Sequence, residues 1–219
     1  MTPHRWWPGG LLLILLATSV SAQLRDITVE AMKSERRLAL VIGNGAYAST
    51  PLKNPVNDAR AMAQALRGLG FDVIAHENAS YKDMRRAVIE FGDRLQGGGV
   101  GLFYYAGHGI QAGGRNYLIP VDATIKSESE IEVESIDVAA VLARMETARN
   151  RLNIVILDAC RDNPFGRSFR SSSRGLASVD APTGTMIAYA TAPDAWPQTA
   201  PVRTAPMRPS SSRQYSARG

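Results

Sequence analysis

Residues 100–109 read VGLFYYAGHG, and this stretch decides the fold. A continuous run of apolar, aromatic and small residues is typical of a strand that is buried on both faces of a parallel sheet. Two similar runs, residues 38–42 (LALVI) and 152–157 (LNIVIL), also end in small or polar residues. These three segments predict the central strands of one sheet.

Helical segments lie between the predicted strands. Residues 55–69 begin with a proline, which suits the first turn of a helix, and residues 80–95 begin with Ser80 as an N-cap. A third helix is predicted from Ser135 or Asp137 to about Ala148. Because strands alternate with helices, we predict the α/β class: a three-layer α/β/α sandwich with a mostly parallel sheet.

Shorter segments complete the predicted sheet. Residues 71–75 and 185–190 are apolar and predict a second and a fifth parallel strand. Residues 110–120 predict a hairpin that turns at Gly113 and Gly114. Residues 161–182 are rich in Ser, Arg and Gly and predict a loop.

The composition excludes several classes of protein. Over 219 residues, 45% are hydrophobic and 21% are charged, which is typical of a globular chain and not of a disordered or fibrous one. Cys160 is the single cysteine, so an intrachain disulfide and a cysteine-cluster metal site are excluded. The net charge of +5 is spread along the chain without a basic run, so we expect no nucleic-acid partner. The three histidines are scattered along the chain, so we also expect no metal site.

The two ends differ from the middle of the chain. Residues 1–22 are typical of a secretory signal, with Arg5, an apolar run over residues 11–17 and small residues up to Ala22. An uncleaved anchor is the alternative. We therefore expect a secreted or periplasmic protein with no membrane association after cleavage. Residues 193–219 combine recurring Pro, Arg and Ser without apolar periodicity, which predicts a disordered basic tail.

Two residues that can carry chemistry follow predicted strands. His108 comes just after residues 100–106, and Cys160 comes just after residues 152–157. The carboxyl ends of neighbouring parallel strands meet at one edge of a sheet, so we expect the imidazole and the thiol to lie close together. An imidazole can accept the proton of a cysteine nucleophile as it attacks. The amides of Gly109 and Cys160 are candidate donors to a developing oxyanion.

The same segments carry a resemblance to a known family. The motifs are LALVIGNGAY, NPVNDARAMAQALRGLGF, VGLFYYAGHG, NYLIPVDA, NIVILDACRDNPF and GTMIAYATAP. Ala159-Cys160-Arg161 follows His108 by 52 residues, close to the spacing of the caspase signature. The chain resembles caspase-like cysteine peptidases of the metacaspase and bacterial caspase-homologue branch. The resemblance implies a peptidase domain over residues 37–192, in which His108 and Cys160 hydrolyse peptide bonds through a covalent thioester.

Acidic residues near the cysteine indicate the substrate. Asp158 stands two residues before Cys160, where caspases have a glutamine, and a carboxylate there attracts Lys or Arg and repels Asp. The resemblance to metacaspases adds Asn57-Asp58 and implies cleavage after Arg or Lys, so polypeptides with basic residues are the expected partners. The alternatives are that Asp158 caps loop amides and that Asp58 is favoured by the dipole of its helix.

Other functions remain as alternatives at this stage. Family members continue past the fifth strand into a sixth strand and a closing helix, and residues after 193 do not match them. A catalytically inactive or truncated caspase-like module that binds other proteins is therefore the second hypothesis. A nucleotide site at residues 43–45 is disfavoured because the third glycine of the fingerprint is missing.

Calcium is the only cofactor that the resemblance raises. Relatives often need it, and residues 122–134 are acidic, but their spacing matches no EF-hand loop and predicts a solvated segment. We therefore expect no resident cofactor, with calcium activation possible by family resemblance. The oligomeric state cannot be predicted from the sequence.

Overall fold

The computed structural model describes residues 35–96, 98–160 and 176–190, and only the backbone of Cys160. The predicted signal segment (residues 1–22), most of the arginine-rich loop (residues 161–175) and the predicted basic tail (residues 193–219) lie outside the described residues. None of the helices within these ranges is long and apolar enough to cross a bilayer.

Strands and helices alternate along the described chain, as the sequence predicts. In chain order they are β1 Arg37–Gly43, α1 Pro55–Gly68, β2 Asp72–Glu77, α2 Tyr81–Leu95, β3 Val100–Ala112, β4 Arg115–Leu118, α3 Glu128–Glu134, β5 Ile136–Asp137, α4 Val138–Thr147, β6 Leu152–Cys160 and β7 Thr185–Tyr189.

The main sheet has the strand order β2-β1-β3-β6-β7, and each of its neighbouring pairs is parallel. β4 pairs antiparallel with the end of β3, and β5 pairs antiparallel with β4. The predicted hairpin is confirmed: Gly113 and Gly114 join β3 to β4 with φ of 56° and 78°, the positive values that glycine adopts without strain. The prediction of a mostly parallel α/β sheet is thus confirmed.

Helices cover both faces of the sheet, which confirms the three layers. Alternate side chains of a strand point to opposite faces, and the buried residues divide accordingly. Leu40 and Phe103 pack in one core cluster with α2 and α4. Val41 and Tyr104 pack in a second cluster with α1. This division determines which helix can contribute side chains to each side of the strand ends.

The helix starts follow the chemistry read from the sequence. The Ser80 hydroxyl accepts a hydrogen bond from Asp83 N at 3.2 Å at the first turn of α2, so its predicted capping role is confirmed. Asp137 rather than Ser135 caps α4, because its carboxylate accepts from Ala139 N at 2.8 Å.

Two strands are longer than the sequence predicts. β3 has 13 residues. It continues through Gly107 and His108 because β6 still pairs with it there, and antiparallel pairing with β4 extends it from Gly109 to Ala112. β6 continues to Cys160. His108 therefore lies within a strand and Cys160 is the last residue of one, whereas the sequence placed both just after their strands.

The acidic segment is ordered differently from the prediction. Residues expected to form a solvated stretch form α3, which is held to the protein by the fully buried side chain of Ile131. Its two apolar residues, Ile131 and Val133, do not have helical spacing, and only Ile131 is buried, so the sequence did not reveal this helix. The short strand β5 was also not predicted.

The close approach of α1 to β1 supports a stability prediction. A Cβ added at Gly43 would lie 2.5 Å from Ala59 Cβ and 2.5 Å from Pro55 O. We expect Gly43→Ala to push α1 away from the sheet and to lower the free energy of unfolding by about 1–3 kcal/mol. Urea denaturation measures this, with Gly68→Ala as the matched control because its added Cβ has no atom within 4 Å. Equal midpoints for the two variants would contradict the prediction.

Candidate active site

The two residues predicted to react lie side by side on neighbouring strands. β3 and β6 pair in parallel register from Val100 with Leu152 up to His108 with Cys160. Adjacent strands lie about 4.8 Å apart. The structure therefore brings the backbones of His108 and Cys160 together at the carboxyl end of the central strand pair, where functional residues of parallel α/β sheets gather.

The imidazole of His108 is buried and oriented by the loop after β1. His108 is 5% exposed, and its Nε2 lies 2.7 Å from Thr50 O and 3.1 Å from Thr50 Oγ1. A carbonyl oxygen only accepts hydrogen bonds, so Nε2 carries a proton and donates it to Thr50 O. In the neutral ring, Nδ1 is then the nitrogen that can accept a proton.

The loop that delivers Thr50 is fixed by the side chains of two asparagines. Asn44 Oδ1 accepts from Ala79 N at 2.8 Å, and Asn78 Oδ1 accepts from Gly45 N and Ala46 N at 2.9 Å each. The amides that would have to bind a phosphate are thus engaged by a side chain. This arrangement disfavours the nucleotide-site alternative.

The acidic residues predicted to bind substrate lie on the α1 side of the sheet. Asp158 pairs in register with Ala106, and residues two and four before it, Ile156 and Ile154, pack in the cluster under α1. Because strand side chains alternate, Asp158 faces the same side. Asp58 lies in the first turn of α1 and is exposed.

The two carboxylates influence each other electrically. Partial burial raises the pKa of Asp158, and the negative charge of Asp58 raises it further. The Tyr104 hydroxyl is 3.4 Å from Asp158 Oδ2, and burial next to these carboxylates raises the pKa of Tyr104. Tyr104 therefore stays protonated and can donate to Asp158. A positive charge next to Asp158 would offset the effect of Asp58, which is consistent with the predicted binding of a basic side chain here.

These contacts bear on the alternative roles of the acidic residues. In the described part of the chain, the hydrogen-bond partner of Asp158 is a side-chain hydroxyl rather than a loop amide. Asp58 lies where the dipole of α1 favours a negative charge and also where it acts on Asp158, so both of its predicted roles fit its position.

Gly109 packs directly against the strand that ends in Cys160. A Cβ added at Gly109 would lie 2.9 Å from Ala159 Cβ and 3.0 Å from Leu176 Cδ2. The backbone of Ala177 is fixed there by Asn116, whose carboxamide accepts from Ala177 N at 2.7 Å and donates to Ala177 O at 2.8 Å. The close approach explains why residue 109 has no side chain.

Sequence reasoning missed four residues that contact the predicted site: Tyr47, Thr50, Tyr104 and Tyr105. The two tyrosines that precede Ala106-Gly107-His108 were visible only as apolar strand residues. Thr50 acts through its carbonyl, which any residue could supply, so no sequence signal could have identified it. Within the described ranges, no group of three His, Cys, Asp or Glu side chains is arranged to hold a metal ion.

Fold and site together define a class: a parallel α/β sandwich with an imidazole and a cysteine paired across its two central strands. The caspase domain profile matches residues 36–204, which is more than half of the chain. The chain belongs to the caspase domain family, a family of cysteine peptidases.

Individual proteins and one solved structure are similar to this chain. The human mucosa-associated lymphoid tissue lymphoma translocation protein 1 is 36% identical over 138 residues, which cover 63% of this chain and 16% of that protein. Caspase-12 of Rattus norvegicus is 26% identical over 154 residues, covering 66% of this chain and 34% of that protein. The crystal structure of the Drosophila initiator caspase Dronc superimposes with a TM-score of 0.48 at 12% identity, covering 71% of this chain and 54% of that one. The chain thus matches about a third or less of the length of the two curated proteins.

Proposed function

We propose that this protein is a cysteine endopeptidase that cleaves polypeptides after Arg or Lys. The observation that carries the proposal is the register that pairs His108 with Cys160 across β3 and β6. The family assignment supports a peptidase, and the acidic pair Asp58 and Asp158 supports the preference for basic residues.

The reaction proceeds in two steps. The Cys160 thiol transfers its proton to His108 Nδ1 and attacks the scissile carbonyl carbon, while the amides of Gly109 and Cys160 donate to the oxyanion. The tetrahedral intermediate collapses as His108 gives the proton to the leaving amine, which leaves a thioester on Cys160. Water, deprotonated by His108, then hydrolyses the thioester and restores the thiol and the neutral imidazole.

Each group has a structural reason for its role. Thr50 O accepts a hydrogen bond from His108 Nε2 at 2.7 Å. This bond keeps the proton on Nε2, so that Nδ1 is the basic nitrogen, and it stabilises the imidazolium when it forms. The carboxylate of Asp158 lies two residues before the nucleophile on the same strand, so a basic side chain bound there places its own carbonyl near Cys160.

A panel of fluorogenic peptides tests the proposal. The peptides are identical except for Arg, Lys, Ala or Asp before the reporter, and the protein is assayed with Cys160→Ala alongside, in calcium and in chelator. We expect Arg and Lys peptides to be hydrolysed at least about tenfold faster than the Ala peptide, and the Asp peptide to be cleaved least. Equal hydrolysis by Cys160→Ala and the wild type would refute the proposed enzymatic activity and favour the alternative, an inactive module that binds other proteins. Equal rates for all four peptides would refute the proposed preference for basic residues.

The preference for arginine should weaken in acid. Because the pKa of Asp158 is raised, its charge is lost at a higher pH than that of an ordinary carboxyl with a pKa of about 3.9. Lowering the pH through this raised pKa removes the attraction for a guanidinium. We therefore expect the ratio of kcat/KM for the Arg peptide to that for the Ala peptide to decrease as the pH is lowered. Taking the ratio cancels the titration of His108 and Cys160, and in Asp158→Asn the ratio should no longer change over this range.

A further inference from the structure

The backbone of His108 is held by two tyrosine hydroxyls. His108 N donates to Tyr47 Oη at 3.0 Å, and Tyr105 Oη donates to His108 O at 2.7 Å. The phenol oxygens lie 3.2 Å apart, and Tyr47 Oη donates to Ile119 O at 3.0 Å. The backbone N–H and the backbone C=O of His108 are thus both bonded to phenols that are themselves buried, Tyr47 at 7% and Tyr105 at 0% exposure.

The neighbouring residues explain why such contacts matter. His108 stands between Gly107 and Gly109, and glycine gives a backbone its greatest conformational freedom. A Cβ at Gly107 would lie 2.6 Å from Tyr105 Oη and 2.7 Å from Tyr47 Oη, so the phenols can reach the histidine backbone only because residue 107 has no side chain. The glycines permit the close approach. The phenols act together with strand pairing, in which Ile119 N donates to His108 O at 3.0 Å, to restrict the freedom that the glycines introduce.

Tyr47 also orients the imidazole itself. Its ring centroid lies 4.4 Å from that of His108, with the two planes inclined by 52°. The same loop delivers Thr50 O to His108 Nε2. Backbone and ring of His108 are therefore positioned by one set of contacts, which links the loop after β1 to the end of β3.

We propose that Tyr47 and Tyr105 are positioning residues that fix His108 against Cys160 for proton transfer. This inference rests on the proposed function of His108 and Cys160. Neither tyrosine is assigned contact with substrate; each acts through His108. Displacing a proton acceptor from the reacting thiol lowers the rate of the chemical step and leaves substrate binding at the acidic pair unchanged.

The variants Tyr47→Phe and Tyr105→Phe test this, because they keep the rings and remove only the hydroxyls. Tyr117→Phe is the matched control: Tyr117 is 4% exposed and belongs to the same buried cluster as Tyr47, but it lies on β4. We expect kcat for the Arg peptide to fall at least about tenfold in either test variant, with KM within about twofold, and both constants to stay within about twofold in the control.

Alkylation of Cys160 gives a second readout that needs no substrate. Cys160 is the only cysteine, so iodoacetamide labels one site, and its rate against pH reports the thiolate. We expect the midpoint in both test variants to move towards about 8.5, the value of a free thiol. Each phenylalanine variant tests the inference by itself, so the test remains available if one of the two does not fold.

Wild-type kcat and an unchanged alkylation profile in the test variants would overturn the inference, as would losses that Tyr117→Phe shares. The proposed function fails separately, if Cys160→Ala hydrolyses the peptide as fast as the wild type. In that case alkylation alone decides: a shifted profile in Tyr47→Phe supports the positioning role, and an unshifted one overturns it.

Discussion

Cys160→Ala is expected to lower kcat/KM for an Arg peptide by about 10⁴-fold or more, because no other thiol in the chain can form the thioester. His108→Ala should cost nearly as much, since the thiol then loses the base that accepts its proton. The measurement is kcat/KM for each variant, and a pre-steady-state burst of product with substrate in excess, present in the wild type and absent in Cys160→Ala, reports the thioester.

The double variant provides the stricter test. Residues that act as one unit show non-additive losses, and the register of β3 with β6 places His108 and Cys160 as such a unit. We expect kcat/KM of the double variant, Cys160→Ala with His108→Ala, to be about the same as that of the slower single variant. Losses that multiply would mean that the two residues act independently, and the proposed mechanism would be wrong.

Asp158→Asn is expected to lower kcat/KM for the Arg peptide by about 10²-fold and to change that for the Ala peptide by less than about threefold. The substitution preserves shape and removes one charge from a half-buried site, where an ion pair with a guanidinium is screened little by water. The measurement is a comparison of the two peptides for each variant.

Asp93→Asn controls for the change in net charge. Asp93 lies on α2, on the opposite face of the sheet, and its side chain is 71% exposed. The substitution Asp93→Asn removes one negative charge far from the predicted cation site, so this variant should cleave both peptides as fast as the wild type does. A similar loss of Arg cleavage in both variants would show that the overall field of the protein, and not a local site, sets the preference.

Much of the fold followed from the sequence because the signals were local. The apolar runs at residues 38–42, 100–106 and 152–157 are too continuous for half-exposed strands, and they became β1, β3 and β6. Ser80 and the Gly113-Gly114 turn fixed a helix start and a hairpin through their own hydrogen bonds and backbone angles. Such features need no knowledge of distant residues.

The extent of β3 and the existence of α3 could not be predicted in the same way. Gly107 and His108 continue as strand because β6 pairs with them, and residues 109–112 because β4 pairs with them from beyond the turn. α3 depends on one buried side chain, Ile131, whose pocket is formed by other elements. In both cases the deciding interactions come from tertiary packing, which overrides local propensity.

For the site, the sequence by itself determined the residue types and the strand ends that carry them: His108 in its glycine-flanked motif, Cys160 at the end of the next central strand, and Asp158 two residues before it. Only the tertiary structure decided that β3 and β6 are neighbours in that register, that α1 brings Asp58 to the face of Asp158, and that Tyr47, Tyr105 and Thr50 hold the histidine. The physical reason is that chemical identity belongs to each residue alone, whereas the contacts that align a backbone and orient a ring come from residues distant in the chain, often through a carbonyl or a hydroxyl that leaves no pattern in the sequence.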